Sequence, residues 1–297
     1  MTPLSFVIAL VAFTVFGAVF GCLIAGVDRI ITARMQGRVG PPLLQPYYDV
    51  RKLLAKENRS LNGFMGYYLV LSLIFAILSG AIFFAGGNLL LVVFLIGLST
   101  LLFIVAAYSS RSPYAEIGAG REIIQVLAYE PMILLMPVFF FFATGSFNVS
   151  AIFSLQYPLI VILPLVFAGL LFIITIKLRK SPFDLSYSHH AHQELVKGIS
   201  TEMTGRNLAI VEITHWYENV LFLGYVGIFF VWVHPVALVI AVVVALAVYF
   251  LEIVIDNTFA RVKWQSMLGW SWAVTLVCTV SNLVLLTVII RFFAGGL

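Results

Sequence analysis

The sequence predicts an all-α, polytopic membrane protein with eight transmembrane helices and an amphipathic surface helix in the first cytoplasmic loop. Three observations predict it. Hydrophobic residues make up 62% of the 297 and charged residues only 10%, with a mean hydropathy of +1.08, which is more apolar side chain than a water-soluble domain can bury. Apolar stretches recur at the length needed to cross a hydrocarbon core of about 30 Å, roughly 20 helical residues. The Lys and Arg residues gather between alternate stretches.

The spans read as approximately 4–27, 64–84, 88–108, 120–144, 157–177, 207–233, 235–256 and 268–291. Runs such as PVALVIAVVVALAVYFLEIVI (235–255) do not alternate in polarity, which excludes a β-barrel. The first run has no Lys or Arg before it and stays apolar for over twenty residues, whereas a secretory signal has a basic start and about 7–15 apolar residues. It reads as a retained helix, and the whole chain as one membrane domain, 1–297. Cys22 and Cys278 both fall inside spans, so neither a disulfide framework nor a four-thiolate iron–sulfur site is expected from this chain.

Between the spans, the connections at about 28–63, 109–119, 178–206 and 257–267, with their immediate flanks, hold sixteen of the seventeen Lys and Arg, leaving Arg291 opposite. That asymmetry places these four loops in the cytoplasm and both termini on the other side of a cytoplasmic (inner) membrane. The net charge of +4 therefore reflects topology, and nucleic acid is not an expected partner. In the first loop, QPYYDVRKLLAKENRS puts Tyr47, Val50, Leu53 and Leu54 on one face and Asp49, Arg51, Lys52 and Lys56 elsewhere. Pro46 is placed to start a helix. The segment reads either as an anchor on the lipid surface or as a platform for a docked partner.

A carboxylate at mid-bilayer costs roughly 2.5–3.5 kcal/mol even on lenient insertion scales, so several of them need a common reason. Glu122 and Glu130 fall on the fourth span, Glu212, His215 and Glu218 on the sixth, and Glu252 and Asp256 at the end of the seventh. Glu212 and His215, three apart, share a helical face, as do Glu252 and Asp256, four apart. Pro131, just after Glu130, weakens the helix there and leaves room for water. Buried acids and histidines that meet across helices are the usual parts of a proton or cation path; structural pairing is the alternative for any single one. The cluster His189, His190 and His192 lacks thiolates and a matched second cluster, so a solvated or proton-accepting loop is expected in preference to a metal site.

Three stretches carry a family resemblance: ARMQGRVGPPLLQPYYDVRKLLAKE (33–57), SPYAEIGAGREIIQVLAYEP (112–131) and SPFDLSYSHHAHQELVKGISTEMTGRNLAIVEITHWYE (181–218). They resemble the signature stretches of the complex I membrane subunit beside the quinone chamber, the ND1 family. Quinone-binding members usually carry Glu three residues before the basic residue of RxPFDL, where this chain has Lys177, and acidic residues where it reads SYSHHAHQ. Those departures, with HWYE at 215–218, are most similar to the small membrane subunit of Ech-type energy-converting [NiFe] hydrogenases.

This resemblance implies a non-catalytic coupling subunit, without a cofactor of its own, in a complex that oxidises ferredoxin, forms H2 and moves protons or Na+. It implies [4Fe-4S] clusters and a Ni–Fe centre in partner subunits: a hydrogenase small and large subunit, a ferredoxin-like iron–sulfur subunit and an antiporter-like membrane subunit. Asp184, Glu194 and Glu202, with the three histidines, would form the loop mouth. Glu130, Glu212 and Glu218, with Glu116, Glu122, His215 and Glu252, would form a proton path. Arg34, Arg38, Asp49, Lys52, Arg179 and Lys180 would serve docking. The readings set against it are a quinone-chamber subunit of a complex I-type oxidoreductase and a stand-alone ion transporter.

Overall fold

Apolar stretches with no water to bond their backbone must satisfy every N–H and C=O internally, and helices do so. The computed structural model of the chain describes residues 3–57, 63–180, 182–183, 186 and 197–294, and these contain no β-strand, only two isolated bridges. In order, the helices are α1 (Leu4–Met35), α2 (Gln45–Ala55), α3 (Gly63–Phe84), α4 (Leu89–Tyr108), α5 (Pro113–Thr144), α6 (Leu159–Ile162), α7 (Pro164–Lys177), α8 (Arg206–Gly227), α9 (Val236–Thr258) and α10 (Trp264–Ala294). Among the described residues, six helical stretches are long and apolar enough to cross a membrane: α1, α3, α4, α5, α9 and Trp264–Val288 of α10. The other two expected spans fall on α6–α7, which is broken, and on α8, whose polar residues lower its hydropathy. The count of eight is thus not reached by length and apolarity alone.

α8 is the most polar of the long helices after Leu89. It packs against α1, α2, α3 and α9, and a small cluster of Cys22, Val50, Ala209 and Trp216 seats the amphipathic α2 against α1 and α8. On α2, Val50 is buried and Leu53 partly so, as the periodicity predicts, while Tyr47 and Leu54 of the same expected stripe stay about half exposed. α3 and α4 are joined by reciprocal bonds, Ser72 Oγ to Ser99 O and Ser99 Oγ to Ser72 O, both 2.8 Å, as small hydroxyl residues allow when helices approach closely.

Three interruptions of helices are met by neighbours. The π-helical turn Phe13–Gly17 in α1 is met by Tyr217, whose hydroxyl donates to Thr14 O at 2.6 Å. α5 continues through Pro131 and Pro137; Pro131 cannot donate to Leu127 O, and Trp272 Nε1 of α10 donates to that carbonyl at 3.1 Å. The span expected as one piece over 157–177 is broken before Pro164. There the buried Asn282 accepts from Leu165 N at 3.1 Å and donates to Ile162 O at 3.5 Å.

The two ends of the bundle differ. At one, uncharged connections bond each other: Leu89 N to Phe147 O, Val149 N to Gly87 O and Val233 N to Leu155 O, at 2.8–3.0 Å. At the other, the basic segments meet, with Val262 N donating to Pro182 O at 2.7 Å and Ile199 N to Ser186 O at 3.1 Å. Gly118 lets α5 touch the turn Gly198–Ser200, since a Cβ there would collide with the backbone of Gly198 and Ile199. Gly118→Ala is therefore expected to destabilise the fold by about 1–3 kcal/mol. Gly120→Ala, where the added carbon would meet only Tyr108 Oη at 3.9 Å, should be neutral; thermal denaturation of the detergent-solubilised protein compares the two.

Candidate functional site

Helix α7 ends in a reversal that distributes three cations. Leu178 N donates to Ile174 O at 2.7 Å and Lys180 N to Thr175 O at 3.0 Å, with Arg179 between them at φ 58°. This closure usually places glycine in the left-handed position, and a side chain there is strained. The reversal leaves Lys177, Arg179 and Lys180 facing three different sets of helices.

Each finds an acid, as a charge withdrawn from water must. Lys177 Nζ lies 3.5 Å from Glu218 of α8 and donates to Thr100 Oγ1 at 3.1 Å and Tyr129 Oη at 3.4 Å. The rings of Tyr129 and Phe222 stand 5.0 and 5.4 Å from it. Arg179 lies 3.3 Å from Glu122 of α5 and 5.3 Å from the ring of Phe103. The Ser186 hydroxyl donates to the other Glu122 oxygen. Lys180 sits 2.5 Å from Asp28 of α1 and 3.6 Å from Asp256 of α9.

The three cations, with Glu218, Asp28 and Asp256, bound a polar cavity of about 390 Å³ at the basic end of the bundle, which Arg38, Glu212, His215 and Trp216 also line. Two small cavities of about 10 Å³ each continue it inward. Glu218 and His215 face the first, together with Thr100; Thr100, Tyr129, Lys177 and Glu130 face the second. The outer cavity is thus connected through shared side chains to Glu130, deep on α5 beside Pro131.

The structure brings Glu130, Glu212, Glu218 and His215 into this series, with Glu122 joined to it through Arg179. Glu252 is buried to one side, its Oε1 accepting from Thr175 at 3.3 Å and its Oε2 without a hydrogen-bond partner among the described residues. Glu116 is exposed in the first turn of α5 and does not join the buried acids. Glu202 is half-buried, while Asp184, His189, His190, His192 and Glu194 lie outside the described residues. Among the described residues no group of three or more His, Cys, Asp and Glu could hold a metal ion.

The expected docking set divides. Arg34, Arg38 and Lys52 are exposed. Arg179 and Lys180 are instead turned inward and ion-paired, and Asp49 is held by Arg29 at 2.5 Å and by Gln45 at 2.8 Å. The reason is local: the reversal after α7 points basic residues into the bundle, where three acids need counter-charges. Asp28, Thr100 and Tyr129 were missed by sequence reasoning, because their partners are distant in the chain.

The sequence profile of the family described as NADH dehydrogenase matches residues 7–287. The chain belongs to this family. Its relatives within and around complex I, the ND1 type, include "Hydrogenase-4 component C" of Escherichia coli (strain K12), 26% identical over 84% of this chain and 86% of the relative. A membrane subunit of the NADH-quinone oxidoreductase of Geobacillus kaustophilus (strain HTA426) is 29% identical over 90% of this chain and 88% of the relative. Among solved structures, a chain of the membrane-bound sulfane sulfur reductase, an archaeal respiratory membrane complex, superposes with a TM-score of 0.82 at 22% identity, covering 93% of this chain and 99% of that one. That last likeness shows a shared fold.

Within this ND1-type scaffold, Lys180 is the clearest structural cation. Lys180→Met would leave the partly buried Asp28 and Asp256 without their ammonium, a loss of about 1–3 kcal/mol, below that of a fully buried pair. Lys52→Ala, on an exposed side chain, is expected to change stability little. Thermal unfolding of the two variants in detergent, followed by tryptophan fluorescence, checks the contrast.

Proposed function

We propose that this chain is the membrane anchor and coupling subunit of a multisubunit energy-converting [NiFe] hydrogenase, linking ferredoxin oxidation and H2 formation to proton or Na+ movement across the cytoplasmic membrane. The observation that carries the reading is the charged series from the basic end of the bundle to Glu130, through Glu218, Lys177 and Tyr129. In a medium of low effective dielectric, a charge change at one end of such a series alters the interaction energy of each pair along it. Electron transfer in a module docked on the basic loops supplies that change, and the pairs answer by moving a proton or exchanging partners.

In this assignment the chain crosses the membrane eight times, with α6–α7 and α8 sheltered by the apolar helices and both termini outside the cytoplasm. Exposed Arg34, Arg38 and Lys52 face the hydrogenase small and large subunits, which hold the [4Fe-4S] clusters and the Ni–Fe centre together with a ferredoxin-like subunit. Glu130 faces an antiporter-like membrane subunit. The hydrogenase relative and Lys177, standing where quinone-binding members carry Glu, support this assignment. Its rival is a quinone-chamber subunit, favoured by the NADH-quinone oxidoreductase relative and by an apolar cleft of about 770 Å³ between α1, α8 and α9, a volume that suits a bound apolar ligand.

Purifying the intact complex from native membranes in mild detergent separates the two. The hydrogenase assignment predicts nickel in the complex and H2 evolution from reduced ferredoxin. A nickel-free complex that reduces quinone would contradict it.

A further inference from the structure

We propose that Lys177 is a proton relay, so that the ion passing through this subunit from the outer polar cavity to Glu130 is H+ and not Na+. The inference rests on the coupling role proposed above and narrows it. Lys177 is buried and lines both the 390 Å³ outer cavity and the inner cavity that holds Glu130. Its Nζ is in contact with Glu218 on the outer side and with Thr100 and Tyr129 on the inner side. The charged side chain between the two compartments is therefore an ammonium.

Carboxylates and hydroxyls serve protons and Na+ alike, and a path made of them would not choose. An ammonium held between Glu218 and Tyr129 repels a metal cation at that point, whereas a proton can pass through it. The step balances within the chain's own groups: one N–H bond of Lys177 breaks as an O–H bond forms on the Glu130 side, and the neutral amine takes a proton from the Glu218 side. The inner cavity, about 10 Å³, is at the lower bound for a single water, and Thr100, Tyr129, Lys177 and Glu130 supply the partners such a water needs. Arginine could replace the charge but not the function, because a guanidinium does not release its proton in proteins.

The test uses the assembled complex in inside-out membrane vesicles, with ΔpH formation followed by a dye and 22Na+ uptake measured in parallel, each per unit of co-purified complex. Lys177→Arg and Lys177→Met are both expected to lower ΔpH formation at least tenfold. Lys177→His, which keeps a titratable nitrogen, should restore more of it than Lys177→Arg, with an altered pH profile. A purely structural cation gives the reverse order, Arg restoring the wild-type rate and His failing, and that result would overturn the relay. Uncoupler-resistant 22Na+ uptake in the wild type that disappears in Lys177→Arg would overturn the choice of ion. Wild-type vesicles that move neither ion would overturn the coupling role itself, an outcome distinct from the other two.

Discussion

A charge inside the hydrocarbon of a membrane must meet its counter-charge within the protein, and that constraint organises this molecule. α8 carries Glu212, His215 and Glu218, so it stands behind α1, α2, α3 and α9. α7 ends in Lys177 and turns sharply, so that one short segment neutralises acids on α1, α5, α8 and α9. The apolar helices are the wall, and the charged ones are what the wall encloses. Replacing buried ion pairs with well-packed apolar residues is often neutral or stabilising, so stability alone does not account for so many of them. The coupling role proposed above supplies a further reason for them.

The backbone follows the same logic. A π-turn, an intrahelical proline and a broken helix each leave polar groups that lipid cannot satisfy, and Tyr217, Trp272 and Asn282 answer one each. The proline repair lies one turn from Glu130, so the irregular backbone of α5 is held in shape where the charged series ends. Sequence reasoning expected Pro131 to open space; the structure shows its freed carbonyl engaged by an indole, with Glu130 facing the cavity shared with Lys177.

How much of this was legible in the sequence depended on range. Apolar length gives eight candidate spans, of which six are long and apolar enough among the described helices, because hydrophobicity over twenty residues is a local property. It misjudged 157–177, where only the contact with Asn282, 117 residues from Leu165, makes a break tolerable, and it could not tell that α8 is sheltered. The buried acids were visible as anomalies, but their partners were not. Lys180 meets Asp28 across 152 residues and Arg179 meets Glu122 across 57, and helical periodicity reaches only three or four. A basic loop looks the same in sequence whether its side chains face a partner or the bundle interior, and Arg179 and Lys180 of the expected docking set are ion-paired inside. The αL turn at Arg179 that accompanies this has no glycine to announce it.

The central claim is that the charged series ending at Glu130 couples redox chemistry to ion movement. Glu130→Gln, assembled in the complex and reconstituted into vesicles, tests it most directly, with H2 formation and ion translocation recorded together. Translocation is expected to fall at least tenfold while the complex still assembles. Ion translocation and H2 production both at the wild-type rate would contradict it.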